Sequence, residues 1–292
     1  MRRARRARRP RRHHFLWALA LAGCGDHASP ALPAETQALL AGQRDPRTWE
    51  VLDATPSHGW PRRVRDPRTG IVFVLVPPGE FVQGTGLAGE RPVHRVRLSR
   101  PCYLGETEVT VAQWARSAAE HGGAPAAPEA AAGGDDRPIT RVSWHDAQAF
   151  AARYGYRLPW EAEWEHACRG AAQEGAEPWR DMALFGEHAW TGFNSGGALH
   201  AVATRRPNGF GLYDMLGNAA EWCLDPSLGN YHVADPAGVT VDPRPTEESP
   251  MRIVRGGSWF TVPPPAPSDR GSDYPAARNG LYGFRVLQPL DE

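Results

Sequence analysis

From Gly70 the chain runs Ile-Val-Phe-Val-Leu-Val to Val76 without a polar break and then meets Pro77-Pro78. A short β-branched and aromatic run bounded by Gly and Pro predicts a buried strand that opens a domain. Val93 to Leu98 mixes apolar positions with His94, Arg95 and Arg97, as a half-buried strand would. The period then changes. Thr110-Val-Ala-Gln113 is a capping-box pattern that opens a helix to about Glu120, and Ser143-Trp-His-Asp146 is a second, opening a helix to about Tyr154. Arg157-Leu-Pro-Trp160 starts a third helix, in which Trp160, Trp164 and Cys168 recur as one core-facing stripe. Past Arg169 the pattern is mostly that of loops, with short strands expected at Ile253 to Arg255 and Gly283 to Leu287. Gly122 to Gly134 reads as a surface loop of low complexity, and no internal repeat is present.

Composition sharpens this picture. The 292 residues fit one sizeable domain with appendages, or two small domains. With 31 Gly, 28 Pro and 11 Trp, the chain predicts irregular loops held by aromatic clusters. Every Lys-or-Arg position is arginine, so lysine nucleophiles and Schiff bases are excluded. Eight of the 33 arginines lie in the first dozen residues; without them the net charge is about −8. An acidic body without a basic tract argues against a nucleic-acid partner.

Met1 to His14 is a basic n-region and Phe15 to Ala22 a short apolar h-region, too short to span a bilayer. Leu21-Ala-Gly-Cys24 follows and resembles a bacterial lipobox, in which Cys24 becomes the lipid-bearing first residue. Residues 1–23 are therefore expected to be a lipoprotein signal peptide, 24–69 a tether without periodicity, and 70–290 the folded domain. Gly25 rather than Asp after the cysteine points, in a Gram-negative cell, to the outer membrane or cell surface. The lipid chains would supply the membrane attachment.

Phe81 to Gly84, Tyr103 to Thr110, Val142 to Ala147, Arg157 to Glu165, Asn194-Ser-Gly196, Gly209 to Trp222, Arg255-Gly-Gly-Ser-Trp259 and Gly283-Phe-Arg285 occur in one order. Together they resemble the formylglycine-generating enzyme (sulfatase-modifying factor) family over about Gly70 to Pro289. The resemblance implies an α+β, elaborated C-type-lectin-like fold with little regular secondary structure and with structural calcium. It assigns calcium to Asn218 and Glu221, with the carbonyl of Ala219, and the beginning of another calcium site to Asn194 and the Ser195 carbonyl. Hard oxygen donors suit that ion. For the latter site the completing carboxylate is missing, because Gly196 to Ala198 is too short. The plain alternative for Asn218 and Glu221 is a loop bracing its own amides.

The family's oxidase binds copper(I) through two cysteines after the Gly-Gly-Ser-aromatic motif. Here Thr261 stands at the first position and the second falls near Ala266, so copper chemistry is not expected. Cys102, Cys168 and Cys223 lie in other motifs and read as buried structural residues. Ser258 has no His-Asp partner pattern and is expected to cap a turn. Arg255 and Arg285 are expected to pair with buried carboxylates. The scattered His94, His145, His166, His188, His200 and His232 form no close ligand pair.

Two functional readings follow. One is a lipid-anchored binding module that recognises a peptide, glycan or protein through the surface from Ser258 to Gly271, with Ser258, Trp259, Thr261 and Arg270 as contact residues. The other is an oxidoreductase-type maturation enzyme of the same family acting on a secreted protein, peptide or siderophore.

Overall fold

The computed structural model describes residues 48–85, 90–121, 136–170, 182–231 and 238–290. All lie in the compact unit Leu40–Glu292. The leader, Cys24, His232 and the loop at Gly122 to Gly134 lie outside the described residues.

Among the described residues, three small sheets and four short helices make up this unit. The first sheet holds β1 (Glu50–Ser57), β2 (Trp60–Arg65), β3 (Val72–Val76), β6 (Cys102–Gly105) and β12 (Leu287–Pro289), in the order β1-β2-β3-β6-β12. The second has the order β10-β9-β7-β11, from β7 (Ala220–Pro226), β9 (Arg252–Arg255), β10 (Arg270–Asp273) and β11 (Tyr282–Gly283). The third pairs β4 (Gly79–Gln83), β5 (His94–Leu98) and β8 (Val239–Val241). The helices are α1 (Val111–His121), α2 (Trp144–Tyr154), α3 (Glu161–Arg169) and α4 (Met182–His188).

β1 and β2 correct the expected tether. They form a hairpin ahead of Gly70 that extends the first sheet, although its register is irregular after Val51 and Asp53. Trp49 and Trp60 anchor it, each buried against Tyr103 in the main core. Burial of these two indoles, with that of Val64, stabilises the hairpin. The domain thus begins before residue 70.

Both expected capping boxes form. Thr110 N–H donates to Gln113 Oε1 and Gln113 N–H to Thr110 Oγ1 at the start of α1. Ser143 and Asp146 exchange the same pair of bonds before α2. The third helix differs from its expected stripe. Trp164 and Cys168 are buried, but Trp160 is the N-cap, extended after Pro159 and half-buried outside the helix. The strand expected from Gly283 to Leu287 divides in two. Tyr282–Gly283 runs parallel to β7, and Leu287–Pro289 pairs antiparallel with β6. Phe284, Arg285 and Val286 cross between the two sheets, all fully buried.

The main core is aromatic. Trp114 stacks on Phe150 with centroids 5.6 Å apart, and Phe284 meets both edge-on. A second cluster gathers Trp164, Leu104, Leu212 and Leu287 with all three described cysteines.

Candidate functional site: a braced apolar face above two buried charge networks

β9 ends in Arg255, whose side chain is fully buried. Its Nη2 lies 2.6 Å from Glu165 Oε2, and its guanidinium donates to the carbonyls of Pro267, Ser268 and Asp269. Glu165 Oε2 also accepts from Gln83 and Tyr231, and Oε1 from Arg169. Arg255 therefore clamps the proline-rich loop after Gly-Gly-Ser-Trp to α3. A guanidinium fork suits this task because it serves several acceptors at once.

The segment after β9 is held from below. Trp259 N–H donates to the Asn218 carbonyl, and its indole Nε1 reaches the Gly280 carbonyl at 3.3 Å. Ser258 is buried. Its N–H donates to Thr261 Oγ1, and its hydroxyl accepts from Phe260 N–H, so it braces a turn as expected. The neighbouring loop is tied to this turn by Gly192 N–H to the Thr261 carbonyl at 3.1 Å and Ser195 Oγ to the Trp259 carbonyl at 2.7 Å. The approach needs a glycine, since a Cβ on Gly192 would sit 2.5 Å from Val262 Cγ2.

The outcome is an apolar face. Phe193, Phe260 and Val262 are 59%, 66% and 61% exposed. This face sets aside part of the expected contact set. Ser258 points inward. Arg270 forms a two-point ion pair with Glu161 (2.6 and 2.8 Å) and lies over the Tyr231 ring, so it serves the scaffold. Trp259 and Thr261 are half-buried beside the face. Phe193, Phe260 and Val262 were not foreseen. Their exposure follows from backbone ties between two loops distant in sequence, for which local pattern carries no signal.

Calcium is judged from what its expected donors already hold. Asn194 Oδ1 accepts from Thr191 N–H, and its Nδ2 donates to the Ala189 carbonyl. The Ser195 carbonyl accepts from His200 Nε2 at 2.8 Å. His200 is in turn stacked on Trp190 at 3.6 Å, with Arg205 on that ring's other face. Asn194 Oδ1 and the Ser195 carbonyl thus each already hold a partner within the chain.

The other site is different. Glu221 forms a two-point pair with Arg285 (2.7 Å each) and also accepts from Trp164 Nε1, so most of its capacity goes to the protein. Asn218 Oδ1 accepts from His200 N–H. Nearby, Glu108 Oε2 and Asp214 Oδ1 are buried with no hydrogen-bond partner among the described residues. Burial, then the charges of Asp214 and Glu221, push the Glu108 carboxyl well above its usual range; burial first also raises Asp214, to about 6. Three buried carboxylates around one guanidinium is an excess of negative charge, which a cation or protons must balance. This excess of negative charge beside Asn218, Ala219 and Glu221 suits a cation. Even so, no three His, Cys, Asp or Glu side chains among the described residues surround a single point, so carbonyl or amide oxygens would have to complete the shell.

Thr261 and Ala266 occupy the places where the resemblance puts the copper cysteines. Ala266 N–H donates to Asp269 Oδ2 in a tight turn. Cys102, Cys168 and Cys223 are buried and unpaired in the second core cluster. Burial is the first cause that pushes all three thiols up, which keeps them neutral.

Fold and site together define a formylglycine-generating-enzyme-like α+β domain of the C-type-lectin-like kind. Residues 62–290 match the family described as "Sulfatase-modifying factor enzyme 1-like domain", and the chain belongs to that family. It is 32% identical over 296 aligned positions to the formylglycine-generating enzyme of Streptomyces coelicolor, covering 77% of this chain and 91% of the relative. Among solved structures it is similar to PvdO from Pseudomonas aeruginosa (TM-score 0.65, 25% identity, 78% of this chain and 98% of that one). It is also similar to Treponema denticola variable protein 1 (TM-score 0.64, 26% identity, 79% and 100%).

Proposed function

We propose that this chain is a cell-envelope lipoprotein whose sulfatase-modifying-factor domain binds a peptide, glycan or protein through the Phe193, Phe260 and Val262 face, without copper-dependent cysteine oxidation. One observation carries the reading. Thr261 and Ala266 replace the copper cysteines, and the three described thiols are buried and held neutral. A neutral thiol is a poor copper(I) ligand. The face is rigidly backed, which lowers the entropic cost of binding. The alternative is a maturation enzyme for a secreted protein, peptide or siderophore. It draws support from the extent of the match to the Streptomyces coelicolor enzyme.

Mass spectrometry of a Cys-x-Pro-x-Arg peptide incubated in air with the chain and copper(I) separates the two. The binding reading expects no formylglycine. Conversion would overturn it and favour the enzyme. Lipid attachment at Cys24 would hold the protein to a membrane, the outer one in a Gram-negative cell. Cys24→Ala should release it into the soluble fraction; continued membrane attachment would refute the anchor. A structural calcium ion would be held by Glu221 with oxygens of Asn218 and Ala219, where it would offset the charge of the neighbouring buried carboxylates Glu108 and Asp214. EDTA should then lower the melting temperature and added calcium restore it, whereas an unchanged melt would remove the ion from this reading.

A further inference from the structure

A concavity lies apart from the Phe260 face and shares no residue with it. It is a cleft of about 390 Å³ where the end of β3, the start of β6, the end of β12 and the turns after β5 and β8 converge on the N-cap of α3. That volume is within the range of small-ligand sites. Pro77, Pro101, Pro243 and Pro289 line it. Proline fixes its own φ, so walls built from four of them are set before anything binds.

The charges in the cleft point to the ligand. Arg100, Arg157 and Arg244 line it against two carboxylates, Glu163 and Asp242. Both carboxylates are already engaged by the protein. Glu163 forms a two-point pair with Arg157 at 2.6 and 2.7 Å and accepts from Trp160 N–H. Asp242 accepts from Ser99 N–H at 2.8 Å and from its hydroxyl. Arg100 and Arg244 are exposed and come from different turns, one after β5 and one after β8. A guanidinium has five N–H donors, so each can take a ligand oxygen beside any other partner. Trp160, half-buried, also lines the cleft and offers an apolar ring surface.

We propose that this cleft binds the carboxylate of a small anionic ligand, its acid group between Arg100 and Arg244 and its body against Trp160. The shared chemistry is a carboxylate on a compact frame, which either an acidic dipeptide or an acidic sugar supplies.

Isothermal titration of the full chain with glutamyl-glutamate and, separately, with glucuronate tests the proposal, with glutaminyl-glutamine amide and glucose as neutral counterparts. Saturable binding is expected from at least one carboxylate probe and from neither neutral compound. Binding by only one probe identifies the frame as peptide or sugar. Arg100→Gln and Arg244→Gln should each weaken binding about tenfold, the effect of losing a charge-assisted hydrogen bond. Failure of both carboxylate probes to bind, or unchanged binding in the double variant, overturns the site. Labelling of the unaltered chain with phenylglyoxal gives a readout that needs no variant to fold. A binding probe should slow modification at Arg100 and Arg244 but not at exposed Arg141. No slowing, or equal slowing at all three, also overturns the proposal.

Discussion

Arg255→Met tests the clamp that carries the candidate face. The substitution keeps an apolar stem of similar length but removes a guanidinium that is fully buried. Glu165, itself fully buried, would lose its 2.6 Å partner, and three carbonyls from Pro267 to Asp269 would lose their donor. Removing one partner of a buried pair costs about 3–5 kcal/mol; Glu165 would keep Arg169 on Oε1 but lose the charged partner of Oε2. The stranded carbonyls push the expected loss to the upper part of that range. For a domain of this size, such a loss lowers the melting temperature by about 10 °C or more. Urea denaturation followed by tryptophan fluorescence would measure it. Adding Glu165→Gln to Arg255→Met should recover part of the loss, since the buried carboxylate left with only its Arg169 ion pair is then gone. A loss below about 1 kcal/mol, or no recovery in the double variant, would refute the role given to this pair.

Asp225 offers a test by pH. Burial first, and then the charge of Glu161, hold its carboxyl well above the usual range. A raised folded-state pKa gives stability that is present below the unfolded value and lost as pH rises through the folded value. Asp225→Asn should therefore be near neutral below about pH 4 and increasingly stabilising above it; a shift in melting temperature that does not vary with pH would contradict this. In a Cys24→Ala chain, Ellman's reagent should leave Cys102, Cys168 and Cys223 unmodified until denaturant is added, and rapid native reaction at any of them would place it outside the core. Gly217→Ala would set a Cβ 2.1 Å from the Trp190 carbonyl oxygen at a φ of +81°, so a loss above about 2 kcal/mol is expected in the same urea assay, and a neutral result would displace this contact. Phe260→Ala should change stability by no more than about 0.5 kcal/mol, given its exposure, and a larger loss would mean that the ring serves the fold.

The parts of the fold that were legible in the sequence are those governed by local chemistry. The boxes at Thr110–Gln113 and Ser143–Asp146 announce their helices because each closes within four residues. The strand at Val72–Val76 announces itself by its unbroken apolar run. β1 and β2 were hidden because their burial comes from isolated residues, Trp49, Trp60 and Val64, among polar and proline neighbours rather than from sustained alternation. The pairing of Arg255 and Arg285 with buried carboxylates was foreseen through the family resemblance, whereas that of Arg270 with Glu161 was not. That last pair joins residues 109 positions apart, and an arginine beside a proline-rich loop looks in sequence like a surface contact. Glu108 and Asp214 were passed over for a similar reason. Their role as unpartnered buried carboxylates arises only when α1's entry and the Tyr213 to Gly217 turn meet around Arg285.

The ties beneath the Phe260 face have a consequence for how such a protein can change. The bonds that set the two loops join Gly192 to Thr261, Ser195 to Trp259, and Trp259 to Asn218, through main-chain groups and one serine hydroxyl. The side chains of Phe193, Phe260 and Val262 contribute none of these hydrogen bonds. Substitution at those three positions would alter what the surface recognises while leaving its supports in place. Recognition and folding are thus written in separate residues, and a new specificity can arise there in single steps without passing through an unfolded intermediate sequence.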